Sequence, residues 1–113
     1  MKDCIFCRII SGELKGEIIH RDDSVIAFKD INPKAPVHVL VVPKTHVSSL
    51  MEAGAIEGNL LNSVYRAVQI LVPKLGLENG FRVVSNYGED GGQSVDHIHF
   101  HVLGKRRMTW PPG

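Results

Sequence analysis

Apolar and polar residues follow two different periods along the chain, and the periods divide it into short elements. The segment His97-Ile98-His99-Phe100-His101-Val102-Leu103 alternates strictly. A β-strand sends successive side chains to opposite faces, so the three imidazoles fall on one face and Ile98, Phe100 and Val102 on the other. Ile18 to His20, Val25 to Lys29, His38 to Val42 and Phe81 to Asn86 are rich in the β-branched and apolar residues of further strands. The polar run Arg21-Asp22-Asp23-Ser24 joins the first two as a hairpin, Asp30 to Pro36 is a proline-punctuated loop, and Pro43 stops the third strand. Helical spacing shows in two places. Ile5, Phe6, Ile9 and Ile10 form one stripe over residues 3 to 12, ended by Ser11-Gly12. Ile56, Leu60, Val64, Val68 and Leu71 recur at helical spacing from about Ile56 to Val72, and Pro73 is expected to end or kink that helix. Five strands with one long and one short helix predict an α+β domain: an antiparallel meander, closed by the histidine strand and covered on one face by helix. Residues 105–113 follow as an irregular tail.

The 113 residues, 43% of them hydrophobic, suffice for one domain with a modest core. Thirteen basic against twelve acidic residues leave a formal charge of +1, which argues against nucleic acid or an anionic membrane as the main partner. There is no signal-peptide core and no apolar run near the roughly 18 residues of a membrane span, so a soluble, cytoplasmic protein is expected. In a reducing compartment the pair Cys4 and Cys7 reads as a metal clip or a redox pair rather than a structural disulfide. No thioredoxin-like βαβ pattern flanks it, which favours the clip. A lone five-stranded sheet leaves exposed edges, and pairing through an edge or through the long helix would make a dimer.

Half of the six histidines lie within five residues, directly after the glycine-rich loop Asn86 to Ser94. Alternate residues of a strand are rooted about 7 Å apart, a spacing suited to gripping one small anionic group or one metal ion.

The histidine segment, Asp30-Ile31-Asn32-Pro33 with Ala35-Pro36-Val37-His38, Val42-Pro43-Lys44 with His46, Gly91-Gly92-Gln93-Ser94-Val95 and the terminal Trp110-Pro111-Pro112-Gly113 together resemble the histidine triad superfamily. The last two blocks are similar to its nucleotide-binding branch, whose members are purine nucleoside phosphoramidases. The resemblance implies a homodimer with a sheet continuous across both subunits, binding an AMP- or GMP-type nucleotide and hydrolysing adenosine 5'-monophosphoramidate-type substrates.

For that chemistry His99, the central histidine, is the expected nucleophile, because imidazole attacks phosphorus while neutral and leaves again to water. His101 and His38 are expected to contact nonbridging oxygens or give a proton to the departing amine. Gly91, Gly92, Gln93 and Ser94 would bring backbone N–H groups and a hydroxyl to the phosphate. The resemblance places the ribose on Asp30, the base in a slot of Ile5, Phe6, Ile9, Phe28 and Ile31, and a further phosphate or ribose contact on Asn86; Trp110 and the tail would reach a neighbouring active site. For a closed zinc site, Cys4 and Cys7 need two histidines outside catalysis, and His46 and His97 fit best, an arrangement similar to that of some bacterial members. Such a zinc would be structural, with no cofactor required for catalysis. His20 reads as a surface residue. The competing readings are a metallohydrolase with a metal on His97, His99 and His101, a non-catalytic nucleotide-binding scaffold, and a dinucleoside polyphosphate hydrolase of the same superfamily.

Overall fold

The computed structural model of the chain describes residues 3–52 and 59–113. Ile56, expected at the start of the long helix, lies outside them. A short helix α1 (Ile5–Ile10) precedes the strands β1 (Ile18–Arg21), β2 (Val25–Lys29) and β3 (Val37–Pro43). The long helix α2 (Leu60–Leu75) follows, and then β4 (Phe81–Val84) and β5 (Phe100–Gly104). All five strands join one antiparallel sheet in the order β1-β2-β3-β5-β4.

The first three strands form the expected meander, with the Asp22 carboxylate accepting the Ser24 and Val25 N–H groups at 2.8 and 2.9 Å to close the hairpin turn. His20 lies beside it, half-buried rather than free on the surface, 2.8 Å from the same carboxylate. Beyond β3 the meander expectation fails. The histidine strand does not close the sheet at its edge; it inserts between β3 and β4, leaving β4 as the outer strand. That strand is also shorter than the alternation predicts. It starts at Phe100, because the preceding backbone groups are satisfied elsewhere: Ile98 N–H donates to Val47 O at 2.6 Å and Ser85 Oγ donates to His99 O at 2.8 Å. With Ser85 turned to that task, β4 ends at Val84 instead of Asn86.

The helix also outruns its expected end. Pro73 sits in the last turn of α2 and the helix continues to Leu75. A proline there removes one backbone hydrogen bond, and the end is secured by Gly76 at φ 70°, with Leu77 N–H on Val72 O at 2.8 Å. Both faces of the sheet are covered, where one was expected. Val25, Ala27, Val39, Val41, Ile98, Phe100 and Val102 pack under Val64, Ala67, Val68 and Leu71 of α2. On the opposite face Ile26, Phe28, Leu40 and Val42 pack under Phe6 of α1. This second core is the smaller one, and the same face carries the histidines.

Candidate active site and metal centre

Alternation along residues 97–102 holds although only its end is β-strand: Ile98, Phe100 and Val102 enter the α2 core, and His99 and His101 face α1. The three imidazoles do not act on one point. The buried Phe6 ring meets His99 edge-on at 5.0 Å between centroids and His97 at 6.0 Å, but beyond Phe6 the two histidines part company.

His99 is 4% exposed, and its Nδ1 lies 2.7 Å from the carbonyl oxygen of His97. A carbonyl only accepts, so the ring carries its proton on Nδ1 and keeps the lone pair on Nε2. His38 and His101 are fixed by a longer series of the same logic. In the β3–β5 ladder His38 opposes Leu103 and His101 opposes Leu40, which makes the two histidines diagonal neighbours on one face. Lys34 N–H donates to His38 Nδ1 at 3.0 Å, so the His38 proton sits on Nε2. From there it donates to His101 Nδ1 at 2.9 Å, with Asp30 Oδ2 also 3.4 Å away, and the His101 proton is left on Nε2. Burial is the main influence on both rings and holds them below the ordinary imidazole range, opposed at His38 by Asp30 and reinforced there by Lys34, and reinforced at His101 by His99 and His38 against the upward pull of Asp30. Both are therefore neutral near pH 7, in keeping with this tautomer series.

His99 and His101 form one wall of a cavity of about 300 Å³. Ile5, Phe6, Ile9, Phe28 and Ile31 also line it, as do Asp30 and Ser94. Asp30 also makes the turn after β2: its Oδ1 accepts the Asn32 N–H at 2.8 Å. Lys15, Gly16, Lys29, Leu40 and Val95 line the cavity too, and sequence reasoning missed them. Leu40 had a signal, since it lies at even spacing from His38 on β3. His38 stands behind His101 and outside the lining. Asn86, Gly92 and Gln93 are outside it as well. Gln93 is a brace: its Nε2 donates to Ser48 O and Val95 O at 2.7 and 3.0 Å and its Oε1 accepts from Gly88 N–H at 3.1 Å. Gly91 is required by close packing, because a Cβ there would stand 2.3 Å from Tyr87 O. A second cavity of about 480 Å³, lined by Asp3, Cys4, Ile5, His46, Ser94, Val95 and Asp96, adjoins the first through Ile5, Ser94 and Val95.

His97 belongs to a separate cluster. Its Nε2 donates to Pro43 O at 2.8 Å, so its Nδ1 lone pair faces the cysteines, 3.3 Å from Cys4 Sγ and 3.5 Å from Cys7 Sγ. His46 Nδ1 lies 3.3 Å from Cys7 Sγ, and all four donor atoms are within 4.8 Å of one another. A tetrahedral ion with bonds of about 2.3 Å to sulfur and about 2.0 Å to nitrogen has ligand-to-ligand edges of about 3.5 Å. The cluster fits that geometry and could hold a metal. Burial, and after it the neighbouring Cys4 sulfur, push the Cys7 thiol above its ordinary value, and a cation between the sulfurs is the partner that would reverse this. Among the described residues His97, His99 and His101 do not converge as a metal-ligating trio.

The family model described as HIT domain matches residues 11–108. The chain belongs to the HIT domain family. This HIT domain chain is 42% identical over 113 residues to the 14 kDa zinc-binding protein of Brassica juncea, covering 98% of this chain and 100% of that one. A HIT family hydrolase from Legionella pneumophila superposes with a TM-score of 0.94 at 41% identity, covering 98% of this chain and 100% of the other. A histidine triad nucleotide-binding protein from Candida albicans superposes at 0.83 with 31% identity, covering 98% and 85%. These likenesses are to proteins of the same family, and the hydrolase named is the Legionella protein. Among the described residues, no helix is long and apolar enough to cross a membrane.

Proposed function

We propose that this HIT domain chain is a purine nucleoside phosphoramidase that works through a nucleotidyl intermediate on His99. The observation that carries the reading is the His99 ring itself, locked by the His97 carbonyl so that the lone pair is left on Nε2, in a histidine that lines a mostly apolar cavity of about 300 Å³. The base lies among Ile5, Phe6, Ile9, Phe28 and Ile31, and the ribose hydroxyls reach the Asp30 carboxylate. The name of the Candida albicans neighbour supports a nucleotide as ligand.

His99 Nε2 bonds to phosphorus as the substrate's P–N bond breaks, and the amine leaves toward the adjoining cavity beyond Ser94 with a proton from solvent. Bonding makes the ring cationic, and its Nδ1–H then donates to the His97 carbonyl more strongly than before; this contact favours the transition state over the ground state. His101 Nε2–H and the Ser94 hydroxyl hold the phosphoryl oxygens, while His38 keeps His101 in the donating tautomer. Water then attacks phosphorus, the His99–phosphorus bond breaks, and the proton lost by water returns to solvent. The products are a nucleoside monophosphate and free imidazole. Cys4, Cys7, His46 and His97 would hold zinc, which at four protein ligands leaves no open position and supplies a structural clip.

The acting unit in this reading is a homodimer. Phe81 and Val83 on the outer strand β4 are 41% and 43% exposed, which supports pairing through that edge. Turnover of adenosine 5'-phosphoramidate by the metal-loaded protein, and its loss in His99→Asn, tests the activity; absence of hydrolysis in the wild-type chain overturns it.

A further inference from the structure

The helix α1 stands between the metal centre and the ligand cavity and serves both. Cys4 and Cys7 bracket its first turn, and Cys4 Sγ caps it by accepting Cys7 N–H at 3.4 Å. Ile5, Phe6 and Ile9 of the same six residues form the cavity wall. A helix this short has no stability of its own, and a thiol is a weak cap, so packing and the cysteine contacts must hold it. Phe6, lying in sequence between the two cysteines, joins the two sites directly: its buried ring packs edge-on against His97 of the metal cluster, His99 of the cavity, and Phe28 at 5.6 Å.

We propose that zinc at Cys4, Cys7, His46 and His97 and a nucleotide in the adjoining cavity bind cooperatively, with Phe6 as the positioning residue that carries the coupling. The proposal rests on the reading of the cavity as a nucleotide site. Once the ion has pinned both cysteines, α1 and the Phe6 ring are ordered before the nucleotide arrives, and the nucleotide meets a finished wall. Linkage makes the effect reciprocal: whatever factor zinc adds to nucleotide affinity, nucleotide must add to zinc affinity.

The test measures AMP affinity by calorimetry on zinc-loaded and metal-free protein, and zinc affinity against a chromophoric chelator with and without saturating AMP. Zinc is expected to tighten AMP binding about tenfold, and AMP to tighten zinc binding by the same factor. In Phe6→Leu both ligands still bind, AMP more weakly, but the factor falls toward one. Should the metal-free form lose its fold, the chelator measurement still reads the coupling from the loaded side. Equal AMP affinity with and without zinc overturns the coupling and leaves the nucleotide reading standing. A full tenfold factor retained in Phe6→Leu overturns the role of Phe6. No AMP binding in either form overturns the nucleotide reading and the coupling together.

Discussion

At the scale of single residues, the site works by deciding where protons sit. A backbone carbonyl sets His99, and a backbone amide at Lys34 sets His38, which in turn sets His101. His38 lies outside the cavity lining yet fixes which nitrogen of His101 carries the proton. His38→Phe should therefore lower kcat about 10²-fold with little change in KM, as steady-state kinetics on the phosphoramidate would show. Asp30 has one oxygen engaged by the Asn32 N–H and the other near His38. Asp30→Asn should raise KM about tenfold for a ribonucleotide substrate and leave a 2',3'-dideoxy analogue unaffected. An equal loss on both would assign Asp30 to the turn alone.

At the scale of elements, α1 and the loop before β5 are held by side-chain contacts to distant residues rather than by a strand ladder. Removal of zinc from the loaded protein, or Cys7→Ser, should lower the thermal midpoint by about 5 °C or more, because the ion binds only the folded arrangement. Gly91→Ala should destabilise the fold by about 1–3 kcal/mol in denaturant titration, since Tyr87 O occupies the space of the new methyl group. Elements set by local pattern were legible in the sequence: the β1–β2 hairpin from its Asp turn, the α2 stripe, and the alternation that puts Ile98 and Phe100 on one side and His99 and His101 on the other. What depends on distant chain was not. The place of β5 between β3 and β4 is fixed by pairing across a long crossover, and the ladder's start at Phe100 by Val47 and Ser85, far away in sequence. His97 was already set apart from His99 in the sequence, with Cys4, Cys7 and His46, and α1 supplies the physical reason: its Phe6 ring touches both imidazoles, while of the two its cysteines reach only His97. Pro73 misled because a proline's cost depends on how close the helix end lies, and Gly76, three residues on, marked that end.

At the scale of the whole molecule, one property should follow from the histidine face of the sheet and a second from its outer edge. His38 and His101 have folded pKa values lowered from 6.5, chiefly by burial, so below that pH the unfolded chain binds protons that the folded chain refuses. Their contribution to stability is complete above pH 6.5 and is lost as pH falls from there through the folded values. Thermal midpoints followed from about pH 8 down to about pH 5 should hold level and then decline, and the decline should be shallower in the double variant His38→Gln with His101→Gln. The outer strand β4 sets the second property. Sedimentation should show a dimer for the wild-type chain and a monomer for Val83→Lys, which places a charge in the proposed seam. Coupling across that seam would bring the tail with Trp110, 82% exposed in the single chain, within reach of the other copy.

Rapid-quench labelling with an adenosine phosphoramidate radioactive at phosphorus tests the nucleophile most directly. Label should appear on the protein within one turnover, be released by acid, map to the peptide containing His99, and vanish in His99→Asn. Steady hydrolysis with no label on the protein at any quench time, or label at another residue, would contradict the account.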